Sequence, residues 1–455
     1  MPDLRNRCLF TLALLAVYRV GAFIPTPGIN TELLAQLFKQ YQGTALGIFN
    51  LFSGNNLRTM TIFALGIMPY ITAAIILELL VVVWPYLERL QKEGELGRRK
   101  ITQYTRYLTI ILSAFQSFTI ALTLQHQNFS GQQIVFNPGP KFILMTMLTL
   151  TTGSAFIMWL GEQISDRGIG NGMSLIIFAG IIVGLPSAIG DLASKVQTRP
   201  WGAFTGIVLI AVIVLMFAVV AFIVFVEGGQ RRIPVQYAKR VMGRRVMGGQ
   251  MTYLPLRVNS GGVIPPIFAS SLLTFPATLG MIARGKSQFL GRFGQALSWG
   301  EPLYTVVYAG LILFFTFFYV GIIFNPTELA DNMRKYGGFI PGIRPGRNTS
   351  EHINRILTRL TFVGGFYLVL VCLLPEWLIS GIHLQHLPGA LGLWFDEHMW
   401  RPVLEGLGFS FYFGGTSLLI VVDVAMDTVQ QLEAQLVMRN YEGFVRKGRV
   451  RGARA

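Results

Sequence analysis

Ten apolar stretches, separated by polar segments, run along the whole chain. They cover Leu9 to Ile24, Ile62 to Trp84, Tyr104 to Leu124, Phe142 to Leu160, Met173 to Ile189, Phe204 to Val226, Val263 to Ala283, Leu303 to Phe324, Leu357 to Leu378 and Phe409 to Val429. Most are close to the roughly 20 residues that a helix needs to cross the hydrocarbon core of a bilayer. The pattern predicts ten membrane-spanning helices, an even number that leaves both chain ends on the same side.

Basic residues are distributed unequally between the connections. Alternate connections, together with the two chain ends, hold 28 of the 38 Lys and Arg residues, whereas the opposite connections hold nine. Connections rich in Lys and Arg stay on the cytoplasmic side of a membrane. We therefore predict that both termini are cytoplasmic.

Composition supports one membrane domain and points to an anionic partner. The 455 residues are 52% hydrophobic and 13% charged, which leaves no soluble core large enough for a separate domain. Two predicted cytoplasmic connections, Glu227 to Ser260 and Asn325 to Arg359, hold seven and six basic residues. Orientation alone does not need so many, so we expect these two connections to dock something anionic.

The chain divides into two sets of five stretches at the polar connection Asp191 to Gly202. We predict an N-terminal half over residues 1–190, a C-terminal half over residues 191–430 and a basic cytoplasmic tail over residues 431–455. An odd number of spans in each half permits an inverted repeat. No sequence similarity between the halves supports it.

The segment Gly43 to Asn56 is moderately apolar and too short to span. It fits either a half-helix that dips back into the membrane, where irregular backbone needs surrounding protein, or a helix lying on the outer interface. Gly66 and Pro69 in the next stretch predict a broken second helix, and broken helices commonly line pathways.

Two glycine motifs have structural explanations. The segment Gly280 to Ser287 matches the phosphate-loop pattern, but it follows a spanning stretch instead of a strand and lies on the predicted external side. The GIGNG segment, Gly168 to Gly172, also follows a predicted helix. Its glycines are expected to form a tight turn between two helices.

No catalytic or metal-binding pattern emerges. None of the five histidines has a Cys or carboxylate at ligand spacing, so we expect no metal, no cofactor and no enzymatic activity. Few ionisable residues lie within the apolar stretches, chiefly Arg19, Glu78, Asp423 and Asp427. A secondary transporter of a small solute fits the topology equally well, but it usually needs a denser polar site at the midplane.

Six long strings identify a resemblance over nearly the whole chain. They are IFALGIMPYITAAII (Ile62 to Ile76), GEQISDRGIGNGMSLIIFAGI (Gly161 to Ile181), GQRRIPVQYAKR (Gly229 to Arg240), GGVIPPIFASSLLTFP (Gly261 to Pro276), GFIPGIRPG (Gly338 to Gly346) and YFGGTSLLIVV (Tyr412 to Val422). With these strings, in this order, the chain resembles the bacterial SecY family. The resemblance implies an all-α polytopic membrane protein with two pseudo-symmetric five-helix halves around a pore, acting as a protein-conducting channel in the bacterial cytoplasmic membrane.

The resemblance also implies roles for particular residues. It places a pore ring at Ile67, Ile71, Ile177, Ile267 and Ile420. It makes the segment at about 43–57 a short re-entrant plug helix, with Gly47, Phe49, Asn50, Phe52, Ser53 and Gly54. A lateral gate that releases helices into lipid would include Thr72, Glu78, Gln116, Ser271 and Thr274. Docking of a ribosome or motor would use Arg231, Arg232, Lys239, Arg240 and Arg344.

The implied partners are those of a translocation channel. They comprise the SecE and SecG subunits, the SecA motor ATPase, the ribosome with its RNA, signal peptides and nascent chains, accessory Sec proteins and anionic lipids. Energy would come from translation, from the motor or from the membrane potential.

Overall fold

The computed structural model describes most residues of the chain. They are residues 2–40, 50, 53–125, 128–129, 132–186, 189–190, 194, 205–237, 240–242, 245–247, 251–283, 301–380 and 415–447. The chain forms two compact units, one from residues 1–42, 46–185 and 420–455 and the other from residues 186–419 with a short piece at 43–45.

The first unit is built mainly of helices. Its elements are α1 (Pro2–Gly21), α2 (Thr31–Gln40), α3 (Met68–Val83), α4 (Pro85–Lys92), α5 (Glu95–Gln125), the short pair β1 (Asn128–Phe129) and β2 (Gln132–Gln133), α6 (Pro140–Arg167), α7 (Gly172–Ile182) and most of α13 (Gly415–Lys447). Helix α5 packs against α3, α4 and α6, while α1 packs against α6 and α7.

The second unit combines helices with a small antiparallel sheet. Its elements are α8 (Thr205–Glu227), β3 (Gln230–Tyr237), β4 (Arg240–Met242), β5 (Arg245–Met247), β6 (Met251–Arg257), α9 (Ile264–Ala283), α10 (Pro302–Ile323), α11 (Pro326–Lys335), β7 (Gly338–Phe339) and α12 (Arg347–Ser380). Helices α9, α10 and α12 pack in series, and β3 lies between β6 and β7.

Each of the ten apolar stretches contains a helix, which confirms the all-α prediction. Within the described residues, α5, α6, α10 with α11, and α12 are long and apolar enough to cross a bilayer, and the bent pair α3 and α4 adds a fifth candidate. The full count of ten spans stays a prediction, as does the division into halves and tail. Helix α13 continues past residue 430 as far as Lys447.

The second apolar stretch is broken, as Gly66 and Pro69 predicted. Residues 62–67 form turns, and the helix begins only at Met68. Gly66 has φ +56°, a conformation that favours glycine, and Pro69 occupies the first turn, where its missing N–H costs nothing. A second break at Trp84 and Pro85 bends α3 from α4 by 99°.

Small residues let neighbouring segments of the chain approach α5 and α6 closely. Thr105, Thr109, Ser113, Ser117 and Ala121 recur every fourth residue on α5 and are all buried. On α6, a Cβ at Gly153 would overlap the carbonyl oxygen of Ile62. Because lipid offers no hydrophobic gain between apolar helices, such close van der Waals packing holds membrane helices together.

The GIGNG segment forms the tight turn that its glycines predicted. It joins α6 to α7, and Gly170 has φ +85°. The N–H of Ile169 donates to the Oγ1 of Thr11 at 3.1 Å, and the N–H of Gly170 donates to the Oε1 of Gln431 at 3.0 Å. The turn therefore connects four helices of the first unit: α1, α6, α7 and α13.

We predict that Gly153→Ala destabilises the protein by about 1–3 kcal/mol, because the new Cβ meets backbone that cannot yield like a flexible side chain. The matched control is Gly310→Ala in α10, where a Cβ would have nothing within 4 Å. The control should be neutral or stabilising by up to about 1 kcal/mol. Unfolding in detergent measures both, and an unchanged Gly153→Ala variant would contradict the packing.

Candidate functional site

The described residues between Asn50 and α3 are irregular and mostly buried. Residues 53–60 and 62–67 form turns, Thr61 makes an isolated bridge with Pro25, and Ser53 is 0% exposed. Buried irregular backbone must find hydrogen-bond partners within the protein, because no water reaches it. The arrangement of this segment therefore depends on its own polar side chains.

Asn50 organises the first turn of the segment. Its Oδ1 accepts from the backbone N–H of Arg58 at 2.8 Å, and its Nδ2 donates to the Oδ1 of Asn55 at 2.8 Å. Its carbonyl oxygen accepts from the N–H of Asn55 at 2.8 Å and from the Oγ of Ser53 at 2.9 Å. One asparagine thus satisfies four groups of a loop that has no regular structure.

Asn56 ties the same loop to α1. Its Nδ2 donates to the carbonyl oxygen of Ser53 at 2.6 Å and to the hydroxyl of Tyr18 at 3.4 Å. Asn56 is buried, and so is Tyr18. The loop is therefore fixed against the first helix.

Gly54 brings the loop against α7. It has φ +71°, and a Cβ there would lie 2.9 Å from the Cα of Gly180. Both positions favour glycine, because a Cβ at Gly54 or at Gly180 would crowd the Cα of the other residue. The contact holds the loop against the helix that carries Ile177.

An apolar cluster holds the loop from the other side. The N–H of Thr26 donates to the carbonyl oxygen of Met60 at 2.8 Å, and Met60 is buried with Leu57 and Leu65. The cluster also includes Leu34 and Phe38 of α2. It anchors residues 57–65 to α2 and to the segment that joins α1 to α2.

The second unit carries a hairpin with one apolar side. Strands β3 and β6 pair antiparallel over seven residues, from Gln230 opposite Arg257 to Gln236 opposite Met251. Ile233 and Val235 are buried. They pack with residues of α11 and α12 in a cluster that includes Leu256, Met333, Ile340, Ile353 and Leu357. The hairpin therefore stands on these two helices.

Strand β7 joins the two predicted cytoplasmic connections in one sheet. Gln236 pairs with Phe339, and Tyr237 pairs with Gly338. The connection Asn325 to Arg359 is thus not a free loop, because α11, β7 and the start of α12 order much of it. Arg344 lies just after β7, in a turn where the Oγ1 of Thr349 donates to the Arg344 carbonyl oxygen at 2.9 Å.

Three predicted docking arginines are exposed on this arrangement: Arg231, Arg232 and Arg344. Arg231 and Arg232 lie on β3, and both connections therefore present basic side chains from one sheet and its adjoining turn. A rigid basic surface of this kind suits phosphate recognition.

Comparison with known proteins identifies the family. Residues 61–429 match the family described as SecY. The protein translocase subunit SecY of Escherichia coli strain K12 is 48% identical over 455 residues, which covers 99% of this chain and 96% of that protein. The chain belongs to the SecY family.

Solved structures agree with this assignment at the level of fold. A structure described as that of a protein conducting channel aligns with a TM-score of 0.62 at 19% identity, covering 96% of this chain and 93% of the other. Sec61 in the canine ribosome-channel complex from the endoplasmic reticulum aligns with a TM-score of 0.58 at 18% identity, with the same coverage.

SecY-family membership decides between the two functional classes that the topology left open. The chain is a multi-pass membrane protein and a non-enzymatic component of a protein-translocation channel. None of these comparisons supports the alternative that the chain is a secondary transporter of a small solute.

The pore-ring isoleucines of this SecY-family chain fall in both units. Ile67 precedes α3, Ile71 lies within it, Ile177 is on α7 and Ile420 is on α13, all in the first unit, whereas Ile267 is on α9 in the second. Ile71 is half-buried and the other four are buried. Their assembly into a ring stays a prediction.

The lateral-gate residues also lie on helices of both units. Thr72 bonds within α3, its Oγ1 donating to the Met68 carbonyl oxygen at 2.9 Å, and Glu78 is exposed on the same helix. Among described residues, the buried Oε1 of Gln116 and the buried Oγ of Ser271 have no hydrogen-bond partner. The side chain of Thr274 lies outside the described residues.

The plug and the remaining docking residues are described only in part. Asn50, Ser53 and Gly54 are described, and residues 53–57 form turns instead of helix. Gly47, Phe49, Phe52 and Lys239 lie outside the described residues, and Arg240 is described in its backbone alone, in β4. The plug helix therefore stays a prediction for residues 43–52.

The sequence did not reveal which residues fix the end of the predicted plug segment. Asn56, Tyr18 and Gly180 are these residues, yet each is unremarkable in its local sequence. Tyr18 lies 38 residues from its partner. The clustering of Ser53, Asn55 and Asn56 in an otherwise apolar segment was the available signal, since buried polar side chains need partners.

We predict that Asn50→Ala loosens residues 53–61 without unfolding the unit. Two side-chain hydrogen bonds are lost, and at about 1 kcal/mol each the amides of this segment should exchange with deuterium roughly 30-fold faster.

The matched control for this experiment is Asn30→Ala, which removes the cap of α2, where Asn30 accepts from the N–H groups of Glu32 and Leu33. It should speed exchange in α2 and leave residues 53–61 unchanged. Equal protection of residues 53–61 in Asn50→Ala and the parent would contradict the role of Asn50.

Proposed function

We propose that this chain forms the path by which unfolded secretory proteins cross the bacterial cytoplasmic membrane. Its narrowest point is the ring of Ile67, Ile71, Ile177, Ile267 and Ile420. A neck lined by branched apolar side chains fits around an extended polypeptide, and when empty it resists ions by dewetting. Membership of the SecY family over residues 61–429 carries this proposal.

The segment at about 43–57 acts as the plug that closes this path when no substrate is present. Support comes from its end, where Asn50, Asn56 and Gly54 fix the loop against α1 and α7. A plug needs such a fixed base, because only then does it return to the same place after a substrate has passed.

The lateral gate lies along α3 and α9, with Gln116 of α5 nearby. The residues involved are Thr72, Glu78, Gln116, Ser271 and Thr274. A signal peptide with about ten apolar residues gains on the order of 3–6 kcal/mol on entering lipid, while polar segments do not. A gate that carries only a few polar side chains therefore lets apolar helices pass into the lipid. Polar segments of the substrate stay in the path across the membrane.

The sheet of β6, β3 and β7 is the docking surface for the ribosome and the SecA motor. The exposed side chains of Arg231, Arg232 and Arg344 support this role, and Lys239 and Arg240 extend it. A similar fold, Sec61, is described in a canine ribosome-channel complex. Ribosomal RNA supplies the anionic partner that such a surface suits.

The remaining partners follow from the same role. SecE braces the two halves, SecG accompanies them, and accessory Sec proteins and anionic lipids contact the membrane-facing and basic surfaces. Signal peptides and nascent chains are the substrates. Both termini are cytoplasmic, as the excess of basic residues in alternate connections predicts, and no cofactor is required.

Reconstitution tests the proposed function directly. Vesicles that contain the chain with SecE and SecG are given SecA, ATP and a labelled secretory precursor, and protected precursor is measured after protease treatment. Protection should require the chain and ATP, and a precursor fused to a tightly folded domain should stop partway. Protection no greater than in vesicles that hold SecE and SecG alone would contradict the proposal.

We predict that the double variant Arg231→Ala, Arg232→Ala weakens ribosome binding and makes it less sensitive to salt. Each lost phosphate contact lowers the slope of log affinity against log salt by about 0.7–0.9, so two should lower it by roughly 1.4–1.8. Co-flotation of ribosomes with vesicles over a salt series measures the slope.

The matched control for the docking variant is Arg58→Ala, Lys141→Ala, which removes two positive charges from the predicted external side. Its slope should equal that of the parent. A docking variant with the parent slope would place the ribosome on another surface.

A further inference from the structure

A buried carboxylate lies at the base of the docking hairpin. Glu227 is the last residue of α8, and only 7% of it is exposed. A buried carboxylate is costly unless hydrogen bonds satisfy it. Glu227 lies three residues before β3 begins, so its partners show how the base of the hairpin is held.

Two side chains from distant parts of the unit reach Glu227. The Nδ2 of Asn259 donates to its Oε1 at 2.6 Å, and the hydroxyl of Tyr367 lies 3.4 Å from the same oxygen. Asn259 follows β6 and is 3% exposed, whereas Tyr367 lies in α12. One carboxylate oxygen therefore joins both ends of the hairpin to α12.

The base of the hairpin also fits closely against α12. A Cβ at Gly364 would lie 2.6 Å from the carbonyl oxygen of Val258, so only glycine permits this contact. The N–H of Val258 donates to the carbonyl oxygen of Gly229 at 3.0 Å, which extends the ladder of β3 and β6 by one bond. The pairing thus continues down to the residues that contact Glu227.

The same cluster continues into α9. The Nδ2 of Asn259 lies 3.3 Å from the carbonyl oxygen of Gly262, which has φ +58°. Helix α9 begins two residues later, at Ile264, and carries Ile267 and Ser271. Asn259 therefore connects Glu227 to the start of the helix that carries a predicted ring residue and a predicted gate residue.

The upper part of the hairpin is fixed as well. Ile233 and Val235 pack on Ile353 and Leu357 of α12. The hairpin therefore forms an arm that contacts α12 at its base and along its length. The bonds of Asn259 to Glu227 and to Gly262 continue this path of contacts from the arm to the start of α9.

We propose that Glu227 is a positioning residue that couples docking on the hairpin of β3 and β6 to a movement of α9. This inference rests on the proposed docking role of the hairpin. Through its bonds to Asn259 and Tyr367, Glu227 keeps the arm and the start of α9 in one body. Without Glu227, a partner still binds Arg231 and Arg232 on the hairpin, but α9 no longer moves when the partner docks.

An environment-sensitive fluorophore on α9 tests the coupling. It is attached at Leu272→Cys, a site that is 52% exposed, after Cys8→Ser and Cys372→Ala remove the native cysteines. The chain is reconstituted with its partner subunits in vesicles, and SecA is titrated in. The Kd reports docking, and the fluorescence change at saturation reports the response of α9.

We expect Glu227→Ala to reduce the change at saturation at least about fivefold, while the Kd for SecA changes less than about twofold. Glu227→Gln should restore the change, because its amide oxygen still accepts from Asn259 and Tyr367. If Glu227 only stabilised the fold, Glu227→Ala would impair SecA binding together with the fluorescence change. A smaller change at saturation with an unchanged Kd therefore points to coupling.

Tyr367→Phe provides a variant that retains the fold, since the ring stays packed against Phe222, 5.7 Å between centroids. It should reduce the change at least about twofold. Glu351→Ala, which removes an exposed carboxylate of α12 paired with Arg347, is the control and should match the parent.

The remaining outcomes overturn either the coupling or the proposed docking role. A full fluorescence change in Glu227→Ala and Tyr367→Phe overturns the coupling. A parent chain that binds SecA without any change also overturns it and leaves docking intact. A parent chain that does not bind SecA overturns the proposed docking role and, with it, this inference.

Discussion

The structure depends on one constraint: backbone polar groups that water cannot reach must find hydrogen-bond partners within the protein. Helices meet it for the apolar stretches, because each bonds its own backbone. Where the helix is interrupted, side chains take over. Residues 53–67 are irregular, and Asn50, Asn56 and the backbone bond from Thr26 to Met60 satisfy part of their backbone and fix them in place. A membrane protein can thus contain a buried, non-helical segment whose backbone is bonded within the protein.

A related constraint explains the buried carboxylate of the second unit. Glu227 ends an otherwise apolar helix, and its burial is tolerated because Asn259 and Tyr367 donate to it. The bonds that satisfy the charge also determine which elements move together. Close packing acts alongside these bonds, as at Gly153 and Gly364, where only glycine fits against neighbouring backbone.

Much of this architecture could be predicted from local sequence. Each apolar stretch contains a helix, Gly66 and Pro69 predicted the broken start of α3, and the GIGNG glycines predicted a turn. Features that depend on distant pairs could not be predicted, as with strand β7, which pairs one cytoplasmic connection with the other. The 99° bend has a local signal in Pro85, but the apolar pattern that ends at Trp84 does not give its angle. Glu227 lies 140 residues from Tyr367, so its role emerges only when the chain is folded.

Site-specific photo-crosslinking tests the central claim, that a polypeptide passes the isoleucine-lined neck. A photoreactive amino acid is placed at Ile71 or Ile267, with Phe217 of α8, 73% exposed, as the lipid-facing control. A secretory precursor is stalled midway in vesicles that hold the partner subunits. We predict crosslinks to the stalled chain from Ile71 and Ile267 and none from Phe217. An engaged precursor that crosslinks to neither isoleucine would contradict the account.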